Sequence, residues 1–163
     1  MTESMDKPKR RIAVSTARLF DRELARLHPD WIFVFGDNTA QFGKREVRTG
    51  RRGGQAVIRG LPNAMGVPTK KHPTMAGGAF FDDAELDANV AAIASSLRAI
   101  EHRATTDLSI TRVVFPADGL GTGRAQLATR APETAKQLDA LVTAMADRLE
   151  PGSGARLTRC ALA

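Results

Sequence analysis

Cysteine is almost missing from this 163-residue chain: Cys160 stands alone, which excludes an internal disulfide and a thiolate metal cluster. There is no tyrosine, and one tryptophan and seven phenylalanines make up the aromatics. No apolar run approaches the ~20 residues that a bilayer crossing needs. The N-terminus, MTESMDKPKRR, carries basic residues but no apolar stretch behind them, so it does not read as a secretory signal. The three histidines, His28, His72 and His102, lack metal-ligand spacing, and no Ser-His-Asp or Cys-His order stands out. These absences leave a non-membrane protein of a bacterial-type cytoplasm, with neither metal nor cofactor called for.

What is present suits one folded domain. The length is enough to bury a core, and ordinary apolar content with both charge signs argues against disorder. The net charge of +6 is uneven: residues 1–70 carry +7 and residues 71–163 carry −1. Lys44, Arg45, Arg48, Arg51, Arg52 and Arg59 face only Glu46. Such a cluster attracts polyanions or small anionic ligands, or simply keeps a loop solvated. Nucleic acid is therefore one candidate partner for segment 43–59, although Phe42 is the one aromatic beside it, which disfavours a base-stacking groove.

The pattern alternates strands and helices between a flexible basic tail (1–11) and a loose C-terminal tail (150–163) that begins at Pro151-Gly-Ser-Gly154. Ile12–Ser15 reads as a first strand, followed by a short helix near 21–28 with Leu24 and Leu27 inward. Trp31–Phe35 is a continuous apolar run, as a buried strand should be. Ala64–Val67 is a weaker strand, ended by Pro68. Asp82 or Asp83 caps a helix whose Leu86, Val90, Ile93, Leu97 and Ile100 form one stripe. Thr111–Pro116 is the next strand, and a helix over about 132–149 starts at Pro132. Alternation of this kind predicts an α/β protein with a sheet covered on both faces, and residues 12–149 form a single domain.

Two glycine-rich loops follow the strongest strands. One runs from Gly36-Asp37-Asn38 to Gly53-Gly54-Gln55, and the other is Asp118-Gly119-Leu120-Gly121-Thr122-Gly123. Ligands of open α/β sheets lie beyond the carboxyl ends of strands, and glycines let backbone N–H groups close on an anion. The second loop lacks the spacing of G-x-G-x-x-G and the Gly-Lys-Ser/Thr ending of a P-loop. It is therefore either a strand-to-helix turn or a phosphate grip without a Walker lysine.

Ile32–Asn38 with Gly53–Val57, then Val113–Gly123 after the amphipathic helix 83–102, resembles the macrodomains, which bind ADP-ribose. The resemblance spans residues 31–148. It implies a three-layer α/β/α sandwich with a mixed, mostly parallel sheet. It also implies an ADP-ribose-like nucleotide, or an ADP-ribosylated substrate, as partner. By the same resemblance Asn38 contacts the distal ribose, and Gly53, Gly54 and Gln55 flank that ribose and the phosphates. Gly119, Gly121, Thr122 and Gly123 wrap the diphosphate. The family's adenine-holding Asp has no counterpart in Val14–Leu19, so the base is left open.

Were an ADP-ribosyl linkage cut, an activated water would attack the anomeric carbon, with a carboxylate or a substrate phosphate as base and backbone donors to stabilise charge. Asp37 and Asp118 are the carboxylates at the two strand ends, so Asp37, Asn38 and Asp118 are the candidate catalytic residues. The same aspartates also suit an Asx-turn or a cap. Arg124 suits bidentate phosphate pairing or solvent. Thr69 and Lys70, after the third strand, offer a hydroxyl and a cation to the cleft or sit in an exposed loop. Phe80 and Phe81 either lead into the capped helix or stack on a base.

Overall fold

The computed structural model of the chain describes residues 9–42 and 54–162. Four strands, β1 (Ala13–Ala17), β2 (Trp31–Asn38), β3 (Ala64–Lys70) and β4 (Arg112–Pro116), form one sheet in the order β1-β4-β2-β3. Among the described residues every strand pair is parallel, and antiparallel pairing is confined to an isolated Lys70–Phe80 bridge. The helices are α1 (Arg22–Leu27), α2 (Leu86–Thr106), α3 (Leu127–Arg130), α4 (Pro132–Leu149) and α5 (Ser153–Leu162). None is long and apolar enough to cross a membrane among the described residues.

Strand alternation sorts β2 onto two faces. Ile32 and Val34 join the larger core with Ile93, Leu97 and Ile100 of α2 and Leu138 and Met145 of α4. Phe33 and Phe35 enter a smaller core with Phe20, Ala25 of α1 and Ile58. Both faces are covered, which is why the strand sequence is uniformly apolar rather than alternating. Each fully buried Ile or Leu contributes about 2 kcal/mol of burial free energy.

Several local readings change in the structure. Leu27 is 67% exposed rather than inward, since a six-residue helix presents only Ala25 fully to the core. Pro68 does not end the third strand, which continues to Lys70. Strand β3 lies at the sheet edge, where a residue without an N–H is tolerated. Asp82 caps the 3-10 turn Asp83–Glu85 that leads into α2. Asp83 instead caps α4, accepting from the N–H groups of Glu133 and Thr134 and from the Thr134 hydroxyl, each at 2.9 Å. Burial pushes the Asp83 carboxyl up, but these donors outweigh it and hold it below its usual value.

Both tails also differ. The C-terminal segment read as loose forms α5, which packs on α4 and β1. Gly154 makes that contact close: a Cβ there would lie 2.7 Å from the Thr143 carbonyl oxygen. At the other end Arg10 donates to the carbonyls of Asp107 (3.0 Å) and Leu108 (3.2 Å) just past α2. Residues 1–8 of the basic tail lie outside the described residues.

Candidate functional site

Because the strands are parallel, all four carboxyl ends emerge on one edge of the sheet, where open α/β folds hold ligands. A cleft of about 1270 Å³ opens there. It takes Arg18 just past β1, Asp37 and Asn38 from β2, Thr69 and Lys70 from β3, and Pro116 from β4. The two glycine loops meet in it: Gly36 and Gly54 from the first, Gly121, Thr122 and Gly123 from the second.

Gln55 joins the two loops. Its Oε1 accepts the Gly36 N–H at 2.9 Å, and its Nε2 donates to the Gly119 carbonyl at 2.9 Å. A side chain at Gly36 would be a tight fit: a Cβ would stand 3.3 Å from both Gln55 Oε1 and Thr69 Oγ1. The backbone N of Gly121 is only 3.8 Å from that same point.

The second loop takes φ values of +85°, +77° and +58° at Gly119, Gly121 and Gly123. Gly121 is required twice over, since a Cβ there would also come within 2.8 Å of Leu127. Among the described residues, the N–H groups of Gly121, Thr122 and Gly123 donate to no acceptor. Backbone donors displayed in this way form an anion-binding concavity.

Asp37 is 5% exposed and is held by its surroundings. Its Oδ1 accepts from Arg59 Nε at 3.1 Å and from the Asn38 N–H at 2.8 Å, and Arg59 Nη2 completes an ion pair. Gly66 on β3 clears space for this carboxylate, as a Cβ would lie 2.9 Å from Oδ2. The register between β2 and β3 slips between Asp37 and Asn38, so Asn38 faces Lys70 and Thr69 is passed over. Such an irregularity re-aims side chains beside a site. Asn38 Nδ2 donates to Gln41 Oε1 at 2.8 Å, and Asn38 Oδ1 accepts the Gln41 N–H at 3.0 Å.

Thr69 and Lys70 are buried at the cleft, not in an exposed loop. The Lys70 ammonium donates to the Thr74 carbonyl and lies 4.5 Å from the centre of the Phe80 ring. Burial, followed by the charges of Arg124 and Arg130, lowers its pKa from the ordinary lysine value. Asp118 and Arg124 line the cleft from exposed positions. Leu120 faces the other way, into an apolar cavity of about 130 Å³ with Leu138, Val142 and Leu157. Phe80 and Phe81 are both buried at 4%, so neither offers an open face for a base. Gly53 and most of the basic segment lie outside the described residues.

Three residues escaped the sequence reading: Arg18 and Gln41, which line the cleft, and Arg130, whose guanidinium lies 4.1 Å from the centre of the Phe80 ring. Arg18 was findable from the rule that ligands lie past strand ends. Nothing local marks the other two: Gln41 sits in the turn after β2, and Arg130 ends α3.

The fold and cleft together define an α/β protein with a cation-lined cleft at the carboxyl edge of its sheet. The chain belongs to DUF7831, a family of unknown function, whose model matches residues 15–141. That span reaches from β1 into α4 and includes every cleft residue named above. No match was found among curated proteins or among solved structures.

Proposed function

We propose that the cleft binds ADP-ribose or a related nucleotide diphosphate, in the manner of the macrodomains that its loops resemble. The observation that carries this reading is the run of N–H groups at Gly121, Thr122 and Gly123, which donate to no acceptor among the described residues, in a loop that lines the cleft with Arg18, Lys70 and Arg124. Backbone donors plus cations, without a Walker lysine loop, suit a diphosphate held by hydrogen bonds. The volume of about 1270 Å³ also leaves room for sugars on either side.

Hydrolysis of an ADP-ribosyl linkage, if it occurs here, rests on Asp118 as the base. Asp37 is committed to Arg59 and the Asn38 N–H, which leaves it a positioning role. The alternative of nucleic-acid binding through segment 43–59 draws no support from the described part, whose single cation, Arg59, is paired with Asp37.

Calorimetry with ADP-ribose tests the reading. One-site binding is expected, weakened about tenfold or more when Gln55→Glu disturbs the loop bridge. An absence of heat at millimolar ligand contradicts it.

A further inference from the structure

Phe80 carries two cations. Lys70 Nζ lies 4.5 Å and Arg130 Cζ 4.1 Å from the centre of its ring. Arg124 lines the cleft with Lys70, and its charge and that of Arg130 both act on the lysine. Among the described residues, no carboxylate lies within ion-pair distance of Lys70, Arg124 or Arg130. The hydrogen bonds of this group run from Lys70 to the Thr74 carbonyl and the Met75 sulfur, and from Arg130 Nε to the Gln126 amide oxygen at 3.1 Å.

Like charges gathered around a lysine that is 6% exposed disfavour the folded state unless an anion joins them. The Phe80 ring relieves part of the cost, since its π faces attract cations. The position is equally specific. Lys70 follows Thr69, whose hydroxyl abuts Gly36, and Arg124 follows Gly123 at the end of the glycine loop. The cluster thus begins where the diphosphate grip ends.

We propose that Lys70, Arg124 and Arg130 form a subsite for a further anionic group, so that the cleft prefers ligands carrying a phosphate beyond the diphosphate. The inference rests on the diphosphate reading for its register, but its cations can be tested separately. The chemistry is a terminal phosphate taking charge-assisted donors from one ammonium and two guanidinium groups. Lys70 and Arg130, braced by Phe80, fix the position, and exposed Arg124 closes on the ligand.

The test is calorimetry with ADP and with ATP, both free of divalent cation, on the full chain. Wild type is expected to bind ATP about tenfold or more tighter than ADP. In Lys70→Met with Arg130→Gln that preference is expected to disappear, ATP losing more affinity than ADP does. Arg130→Gln alone, at an exposed position where folding is not at stake, is expected to lose part of it. Equal affinity for ADP and ATP in wild type overturns the subsite and leaves the diphosphate reading standing, as does a preference that survives both substitutions. ATP binding that depends on Lys70, without ADP binding, supports the subsite and overturns the diphosphate grip. Binding of neither nucleotide overturns both.

Discussion

Asp37 at the end of β2 and Arg59 beyond the first glycine loop form a buried ion pair, with Arg59 Nε 3.1 Å from Asp37 Oδ1. The pair ties the returning end of a long connection back to the strand it left. Removing only the cation strands a carboxylate that is 5% exposed. Arg59→Met is therefore expected to lower stability by about 3 kcal/mol or more. Adding Asp37→Asn to that variant should recover part of the loss. A urea-unfolding double-mutant cycle reads the coupling, and strictly additive losses would contradict the pairing.

Gln55 tests loop geometry more finely than any glycine. It accepts at Gly36 and donates at Gly119, and only an amide does both. Gln55→Glu keeps the acceptor but sets a carboxylate oxygen against the Gly119 carbonyl. It is expected to weaken ligand binding more than Gln55→Ala does, with a stability loss of about 1–2 kcal/mol. Equal effects on binding from the two variants would show that the bridge does not set the loop.

Gly121 and Gly123 separate strain from crowding. Both have positive φ, but a Cβ at Gly121 collides with Leu127 at 2.8 Å, whereas Gly123 has open space. Gly123→Ala should cost about 1 kcal/mol from backbone strain alone. Gly121→Ala adds overpacking and should cost about 2–4 kcal/mol. Thermal unfolding of the two variants checks the order, and a reversed order would place Leu127 elsewhere.

Lys70 gives a pH dependence of defined sign. Its folded pKa is lowered below 10.5 by burial first and by Arg124 and Arg130 next. Between that lowered value and 10.5 the unfolded chain binds more protons, so this group makes stability rise with pH across the window. Lys70→Met should abolish that rise and stabilise the ligand-free protein at neutral pH. Anion affinity runs the other way, falling as Lys70 deprotonates. Unfolding and binding measured across the alkaline range, wild type against Lys70→Met, check both signs; identical profiles would contradict them.

Much of the fold was legible because its signals are dense. The apolar run Trp31–Phe35 and the stripe through Ile93, Leu97 and Ile100 named a buried strand and a core helix, and Pro132 marked the start of α4 to the residue. Pairings between distant segments were not legible. Asp83 sits beside Asp82 in sequence, yet it serves a helix fifty residues away. Helix α5 reads as a tail because Pro151 and Gly152 precede it, although its own sequence is amphipathic and packs on α4. At the site, the glycine loops were visible as types of residue. Gln55, Arg59 and Arg130 take their roles only from what the fold brings against them.

The central claim is that backbone N–H groups of the second glycine loop hold the diphosphate. A ¹H–¹⁵N correlation titration with ADP-ribose tests it most directly. The account predicts that the amide signals of Gly121, Thr122 and Gly123 shift together and saturate, with Gly36 following through Gln55. Shifts confined to segment 43–52, or no saturable shift in the loop, would contradict it.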